Sequence, residues 1–260
     1  MRDEAIMHNS AQNIIITGAS GGLGRALALY HAQAGAAFDL WGRSPARLKE
    51  VCEAVEARGA KAKRTCHDLS DTAGAIEILI KQDRAAPFDV AYLVAGIGDV
   101  RPEGAMVEPP ELVLRAAQVN FTAPAAMAAA LAARMAERGH GRIVLIGSVA
   151  AHHSLPFAAA YSGSKAGLAR FADGLRLAVK PHGVSVTLAA PGFIDTPAAR
   201  AISSNRPFEL TAAEAARRIA DAAERKARHF VTPWPFVLFQ TLDRLLPMAL
   251  RDHILTRLKP

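Results

Sequence analysis

Asn13-Ile14-Ile15-Ile16-Thr17-Gly18-Ala19-Ser20-Gly21-Gly22-Leu23-Gly24 is the stretch on which the fold turns. A β-branched run leads straight into a glycine cluster, and Arg25 to Ala34 follows as a good helix former that Gly35 stops. Strand, glycine turn and helix stand in the order a dinucleotide site needs. Glycines let the backbone turn tightly and approach a pyrophosphate without Cβ clashes, while the free N–H groups and dipole of the helix N-terminus favour the anion. The spacing Thr17-Gly18-x-x-x-Gly22-x-Gly24 differs from the commoner Gly-x-Gly-x-x-Gly, and a lone glycine cluster is often only a turn.

Outward from this unit, strand-like runs recur at Phe38–Trp41, Ala62–Cys66, Val90–Val94, Ile143–Ile146, Val184–Leu188 and Phe230–Thr232, separated by helical stretches. The alternation predicts an α/β fold: one doubly wound parallel sheet of about seven strands, helices on both faces, and ligands at the carboxyl ends of the strands. Ser20, Ser148 and Pro191 fall at such ends. With 260 residues, 51% hydrophobic and 6% aromatic, the chain can bury one large, alanine-rich core. Tracts such as Ala125–Ala133 read as tightly packed helix. Residues 1–12 read as a flexible N-terminus, 13–232 as the main domain, and 233–260 as an apolar and basic extension.

At the other end of the chain, Tyr161 and Lys165 stand four residues apart and follow Ser148, which closes the apolar run Ile143 to Ser148. On a helix, that spacing stacks the two side chains on one face, so the ammonium can sit below the phenol. A nearby cation favours phenolate and lowers a pKa that is otherwise about 10. The phenol then becomes a usable proton donor near neutral pH. A serine hydroxyl on a neighbouring strand end can hold a substrate oxygen as charge develops on it. Tyr-x-x-x-Lys alone fits equally a half-buried tyrosine beside a solvated lysine. His152 and His153, between Ser148 and Tyr161, are alternative bases, but loop histidines are more often solvent contacts or pocket rim.

Taken together, these motifs make the chain resemble the short-chain dehydrogenase/reductase family over roughly Asn13 to Thr196. The resemblance implies a single-domain Rossmann fold and an NAD(P)-dependent oxidoreductase acting on CH–OH and C=O groups. It implies a cofactor loop at Thr17, Gly18, Ser20, Gly21, Gly22, Leu23 and Gly24, and catalytic roles for Ser148, Tyr161 and Lys165, the last two also touching the cofactor. Asn120 falls where the family places an asparagine in a distorted helix that holds a water in the proton relay. Asp68, with Leu69, matches the residue that bonds the adenine amino group. Ala95 and Gly96 let the adenine ribose lie against the backbone, and Pro191, Gly192, Ile194 and Thr196 match the segment that wraps the carboxamide. One departure is visible: the family's Asn-Ala-Gly is Val94-Ala95-Gly96, so an amide that steadies the centre of the sheet is missing.

The end of the second strand decides the cofactor. An acid about 20 residues beyond the glycine turn would nominate Asp39 and NAD. The strand runs on through Leu40 and Trp41, however, and at its tip stand Gly42 and Arg43. Arg43 can meet a 2′-phosphate with a planar, always-charged fork, and Gly42 leaves room for it. Ser44, an N-cap ahead of Pro45, can add a hydroxyl. NADP (NADPH) is favoured over NAD, although Gly21 stands where many NADP-dependent relatives carry a base.

A net charge of +7 and a pI near 9.8 invite a nucleic-acid partner, but the arginines are spread over helix faces without interleaved aromatics. Over Thr211–Arg228, bases crowd what reads as the last turn of a helix, where they suit its dipole. Cys52 and Cys66 have neither metal spacing nor a redox motif and read as buried or half-buried thiols in a reducing compartment, and no metal is expected. Residues 1–12 lack an apolar signal-peptide core, so a cytoplasmic location is expected. The tail, Phe236 to Leu250, is interrupted by Asp243, Arg244 and Pro247 and is too short to span a bilayer. It reads as a lid, a subunit contact, or an amphipathic segment on a membrane, helped by Arg244, Arg251, Arg257 and Lys259. Two other readings stay open: a nucleotide sensor or scaffold without turnover, and a membrane-associated reductase of a lipid-like carbonyl. Leu155, Phe157, Phe193 and Phe208 lean toward an apolar substrate, although each fits a core position equally well. The family resemblance further implies a homodimer or homotetramer built on the helices that carry Asn120 and Tyr161.

Overall fold

A computed structural model describes residues 12–98, 100–200, 206–238 and 246–257. The strands are β1 (Asn13–Thr17), β2 (Ala37–Gly42), β3 (Lys61–Cys66), β4 (Val90–Leu93), β5 (Gly141–Ile146), β6 (Val184–Pro191), β7 (Ile194–Asp195), β8 (Leu210–Thr211) and β9 (His229–Thr232). Seven of them form one sheet in the order β3-β2-β1-β4-β5-β6-β9, parallel throughout, while β7 and β8 make a separate short pair. The helices are α1 (Gly22–His31), α2 (Pro45–Glu56), α3 (Thr72–Ala85), α4 (Pro110–Ala117), α5 (Ala123–Arg138), α6 (Ala159–Val179), α7 (Pro197–Arg200), α8 (Ala212–Glu224) and α9 (Met248–Leu255). Strand order reverses between β1 and β4, and the crevice at such a reversal is where open α/β sheets bind ligands.

The period-2 alternation of a strand splits the apolar runs between two cores. Ile14 and Ile16, Phe38 and Leu40, and Val144 and Ile146 face α1, α2 and α8, where Leu27, Val51 and Ile219 meet them. Ile15, Trp41, Ile143 and Leu145 point the other way, against Leu79 of α3, Met127 and Leu131 of α5, and Leu168 of α6. Each such side chain removed from water contributes roughly 1.5–3 kcal/mol, so both faces hold the sheet in register. Buried Ala123, Ala128 and Ala132 give α5 a smooth face that packs closely on the sheet.

Three expectations need correction. α1 starts at Gly22 and ends at His31, because Ala32 is already extended, and Gly35, at φ +89°, turns the chain toward β2. α8 stops at Glu224 with no base in its last turn: Lys226 adopts a left-handed φ of +54°, which places Arg225, Lys226 and Arg228 beyond the helix. Cys66 is exposed and not half-buried, since β3 is an edge strand, whereas Cys52 is buried on the inner face of α2. The flexible terminus expected over residues 1–12 lies, except for Gln12, outside the described residues, as do Asp243, Arg244 and Lys259 of the tail. Among the described residues no helix is long and apolar enough to cross a membrane, and no group of three metal-ligating side chains converges.

Candidate active site

β1 ends at Thr17, whose Oγ1 accepts from the Val94 N–H at 3.0 Å and the Ala95 N–H at 3.2 Å. This hydroxyl ties the ends of β1 and β4 together at the point where the missing asparagine would have steadied the sheet. Gly18 follows at φ +67°, and a Cβ there would stand 2.9 Å from the Ala95 backbone. Left-handed strain and backbone overlap act together at this position. Gly18→Ala is therefore expected to cost about 2–4 kcal/mol in a urea titration; a loss below about 0.5 kcal/mol would contradict the turn's role.

Gly21 caps α1 without a side-chain bond, and no acid occupies the helix's first turn. A Cβ on Gly24 would overlap the Gly18 carbonyl, and one on Gly22 would come within 2.5 Å of Thr196. The first turn of α1 thus offers backbone amides with no side-chain cap and no carboxylate of its own, beside the hydroxyl residues Ser20 and Thr196, which fits a pyrophosphate.

This cradle opens into a cavity of about 350 Å³. Its walls carry the turn residues Thr17, Gly18, Ser20, Gly21, Gly22, Leu23 and Gly24, then Gly42 and Arg43 from the tip of β2, Asp68 and Leu69 after β3, Ala95 and Gly96 after β4, and Thr196. Trp41, Arg47, His67, Val94, Ile97 and Val119 also line it and were not expected. Arg47 had a usable signal: three residues after the N-cap Ser44, it must lie in the first turn of α2, beside Arg43. Six residues expected at the cofactor are not on the wall, Ser44, Tyr161, Lys165, Pro191, Gly192 and Ile194, and neither are the expected catalytic residues Asn120 and Ser148. Ser44 is spent as a cap, its Oγ accepting from the Arg47 N–H at 3.4 Å. Pro191 is the last residue of β6 and pairs with Thr232, Gly192 N–H donates to the Thr232 carbonyl at 2.8 Å, and Ile194 packs toward the core from β7.

Asp39 does not reach the cavity. It is buried in β2 and accepts from Thr65 Oγ1 at 2.7 Å, and burial pushes its carboxyl above the usual range against the pull of Thr65 and Lys63. At the rim, Arg43 Nη1 lies 3.9 Å from Asp68 Oδ2, both side chains more than half exposed. Such an exposed pair is worth little, so the guanidinium can exchange it for a stronger anion. Asp68 is held below the usual carboxylate range, chiefly by the Ser70 N–H at 3.0 Å. Trp41 and His67 meet edge to face at 6.1 Å and form an aromatic wall beside it.

Deeper in, α4 and α5 are joined by a π-helical turn, Gln118–Thr122, in which the Ala123 N–H reaches back to Gln118. Asn120 sits in that turn, fully buried, accepting from Ile97 N–H at 2.8 Å and donating to Ile97 O at 2.9 Å and Ser164 Oγ at 3.2 Å. Lys165, 4% exposed, donates to the Ile146 carbonyl at 2.8 Å. A Cβ on Gly96 would lie 3.1 Å from Asn120 Oδ1 and 3.5 Å from Lys165 Nζ, so the cavity wall and the buried polar groups adjoin at this glycine.

Lys165 Nζ is 5.9 Å from the centre of the Tyr161 ring. Burial lowers the ammonium from 10.5 to about 8, leaving it mostly cationic at neutral pH. The Tyr161 phenol moves opposite to the expected direction. Burial raises its pKa, because removing a phenolate from water costs more than the neighbouring groups return, and a hydrogen bond with Ser148 only partly offsets this. Ser148 caps a short 3₁₀ turn, Val149–His152, by accepting from the Ala150 N–H at 3.1 Å. His152 packs edge to face on His229 at 5.8 Å.

The short chain dehydrogenase family profile matches residues 12–207. An uncharacterized oxidoreductase of Myxococcus xanthus (strain DK1622) is 30% identical over 251 residues, covering 96% of this chain and 98% of that protein. The dehydrogenase/reductase SDR family member 7B of Bos taurus is 34% identical over 75% of this chain, which spans 61% of the bovine protein. Among solved structures, a short-chain dehydrogenase from Sphingobium yanoikuyae in complex with NADPH superposes with a TM-score of 0.79 at 25% identity, covering 95% of this chain and 96% of that one. Profile, relatives and fold agree: the chain belongs to the short-chain dehydrogenase/reductase family of oxidoreductases.

Proposed function

We propose that the protein is an NADP(H)-dependent enzyme that moves hydride between the nicotinamide and the carbonyl or secondary alcohol carbon of an apolar small molecule. The observation that supports this reading is that Asn120 and Lys165 adjoin the cavity wall at Gly96, with Lys165 Nζ 5.9 Å from the Tyr161 ring centre and Tyr161 hydrogen-bonded to Ser148. A bound nicotinamide supplies the hydride. Tyr161 gives the proton to the substrate oxygen in reduction and takes it back in oxidation. Ser148 holds that oxygen, Lys165 binds the nicotinamide ribose and steadies the charge left on the phenol, and the π turn at Asn120 keeps the water path to Lys165.

A sensor without turnover needs only the glycine-turn half of the site. A lysine 4% exposed and offset by a single carbonyl is costly to keep, which argues for its use in chemistry.

For the cofactor, Gly42 brings no acid to the strand tip, while Arg43 and Arg47 bring two guanidinium groups to the cavity wall. Charge-assisted bonds of this kind contribute about 1.5–3 kcal/mol each, roughly 10- to 100-fold in affinity. Arg43→Ala is expected to weaken NADPH in that range and NADH less than about threefold, read by fluorescence titration. Equal losses for both would turn the assignment to NAD.

The substrate side is apolar. Phe236 packs on the Gly192 backbone and meets Phe193 at 6.3 Å and Phe208 at 6.0 Å, while Leu155 and Phe157 are only half-buried. This cluster favours the lid reading for the described start of the tail. Exposed Val113 and Leu114 on α4 and Leu177 on α6 favour a symmetric oligomer through those helices.

A further inference from the structure

Tyr161 is only the third residue of α6, and that first turn has no cap of its own. Its N-cap is Ala158, which offers no side-chain acceptor. The missing acceptor comes from 52 residues away: Glu108 Oε2 takes the Ala160 N–H at 2.8 Å. Glu108 is 9% exposed, and its other oxygen, Oε1, is buried without a partner among the described residues. A carboxylate in that condition is costly to keep for one hydrogen bond, so its retention asks for a role beyond stability.

Its place in the chain supplies one. Glu108 directly precedes Pro109 and Pro110, which set the start of α4, and α4 runs into the π turn that carries Asn120. The same loop is tied to the approach to α6 a second time, through Arg101 N–H to Phe157 O at 2.8 Å. One side chain therefore joins the helix holding Asn120 to the turn holding Tyr161. Lys165 needs no such support, because it lies a turn further in and is anchored on Ile146. Helix ends fray first, so losing this bond would move the phenol relative to the ammonium and leave the cofactor cradle untouched.

We infer that Glu108 is a positioning residue: it caps the first turn of α6 from a distance and sets Tyr161 against Lys165 and Ser148. Its recorded bond is to the Ala160 backbone N–H and not to the phenol, so it acts through the geometry of the helix turn. The inference rests on the reading of Tyr161 as proton donor.

The test measures kcat, NADPH affinity and the pH profile of full-length E108A, E108Q and E108A combined with Ala158→Ser. E108A should lose about tenfold in kcat, the scale of a lost helix cap, with NADPH affinity within about twofold and an unmoved pH profile. E108Q keeps an acceptor oxygen and should stay within about threefold of wild type. Ala158→Ser supplies a local cap and should restore most of the loss in E108A. Full activity of E108A, or a loss in E108Q as deep as in E108A, would overturn the inference; the second result would point to a charge contact with substrate. If E108A does not fold, E108Q decides alone, a tenfold loss overturning the cap. Tyr161→Phe, run in parallel, separates the two levels: if it turns over normally the proton-donor reading fails, whereas an inert Tyr161→Phe beside a fully active E108A refutes only the positioning role.

Discussion

Tyr161→Phe is expected to lower kcat for carbonyl reduction by about 10²- to 10⁴-fold, the usual worth of a positioned general acid, while NADPH binds within about twofold of wild type. Burial raises the phenol, so it remains protonated at neutral pH and is available as a donor rather than held as phenolate. On the proposed mechanism the proton leaves only as negative charge builds on the substrate oxygen, and the Lys165 ammonium, 5.9 Å from the ring centre, and the Ser148 hydroxyl then stabilise what remains. Both groups must hold their protons for this. Lys165 titrates first, at about 8, so the rate of reduction should be level on its acid side and fall as pH rises through that value. A Tyr161→Phe enzyme within tenfold of wild type, or a rate that climbs through pH 8, would dismantle the mechanism.

Lys165→Met should separate function from stability. Turnover is expected to fall at least 100-fold, since the substitution removes the charge near the phenol and the proposed contact to the ribose. Stability should move the other way. The folded-state pKa of Lys165 is depressed from 10.5 to about 8, so between those values the unfolded chain binds the proton more tightly. Wild-type stability therefore rises with pH across that window and is flat below it, where the whole penalty is felt. That penalty is about 3 kcal/mol at neutral pH, offset by about 1 kcal/mol for the bond to Ile146 that the variant loses. Lys165→Met is thus predicted to be more stable than wild type at pH 7, by about 1–2 kcal/mol in urea titrations, and to lose the rise between pH 8 and 10.5. A variant less stable at pH 7, with turnover intact, would mean that the ammonium is neither strained nor used.

The glycine turn, the strand runs and the Tyr161–Lys165 spacing were legible in the chain because each depends on residues close together in sequence. A β-branched run ending in Gly18 has few alternatives to a strand and a left-handed turn. Residues four apart on α6 must share a face wherever that helix lies. The distance of Asp39 from the strand tip is likewise a local matter, since it follows from the length of β2. Other features escaped the reading because they depend on which elements become neighbours. His67 and Trp41 form one wall only because β2 and β3 pair in register. Phe236 closes on Gly192 only because β9 lies beside β6.

The direction of the Tyr161 shift escaped for a further reason. A sequence shows that a cation is near, but the balance between that cation and lost hydration depends on depth, which belongs to the packed molecule. Local pattern by itself determined the parallel α/β architecture and the spacing that puts Tyr161 and Lys165 on one helix face, because backbone sterics and side-chain periodicity act over a few residues. Tertiary structure alone decided the protonation of Tyr161 and Lys165 and the Glu108 cap on α6, because burial and contacts across 52 residues exist only once the sheet has brought its loops to one edge.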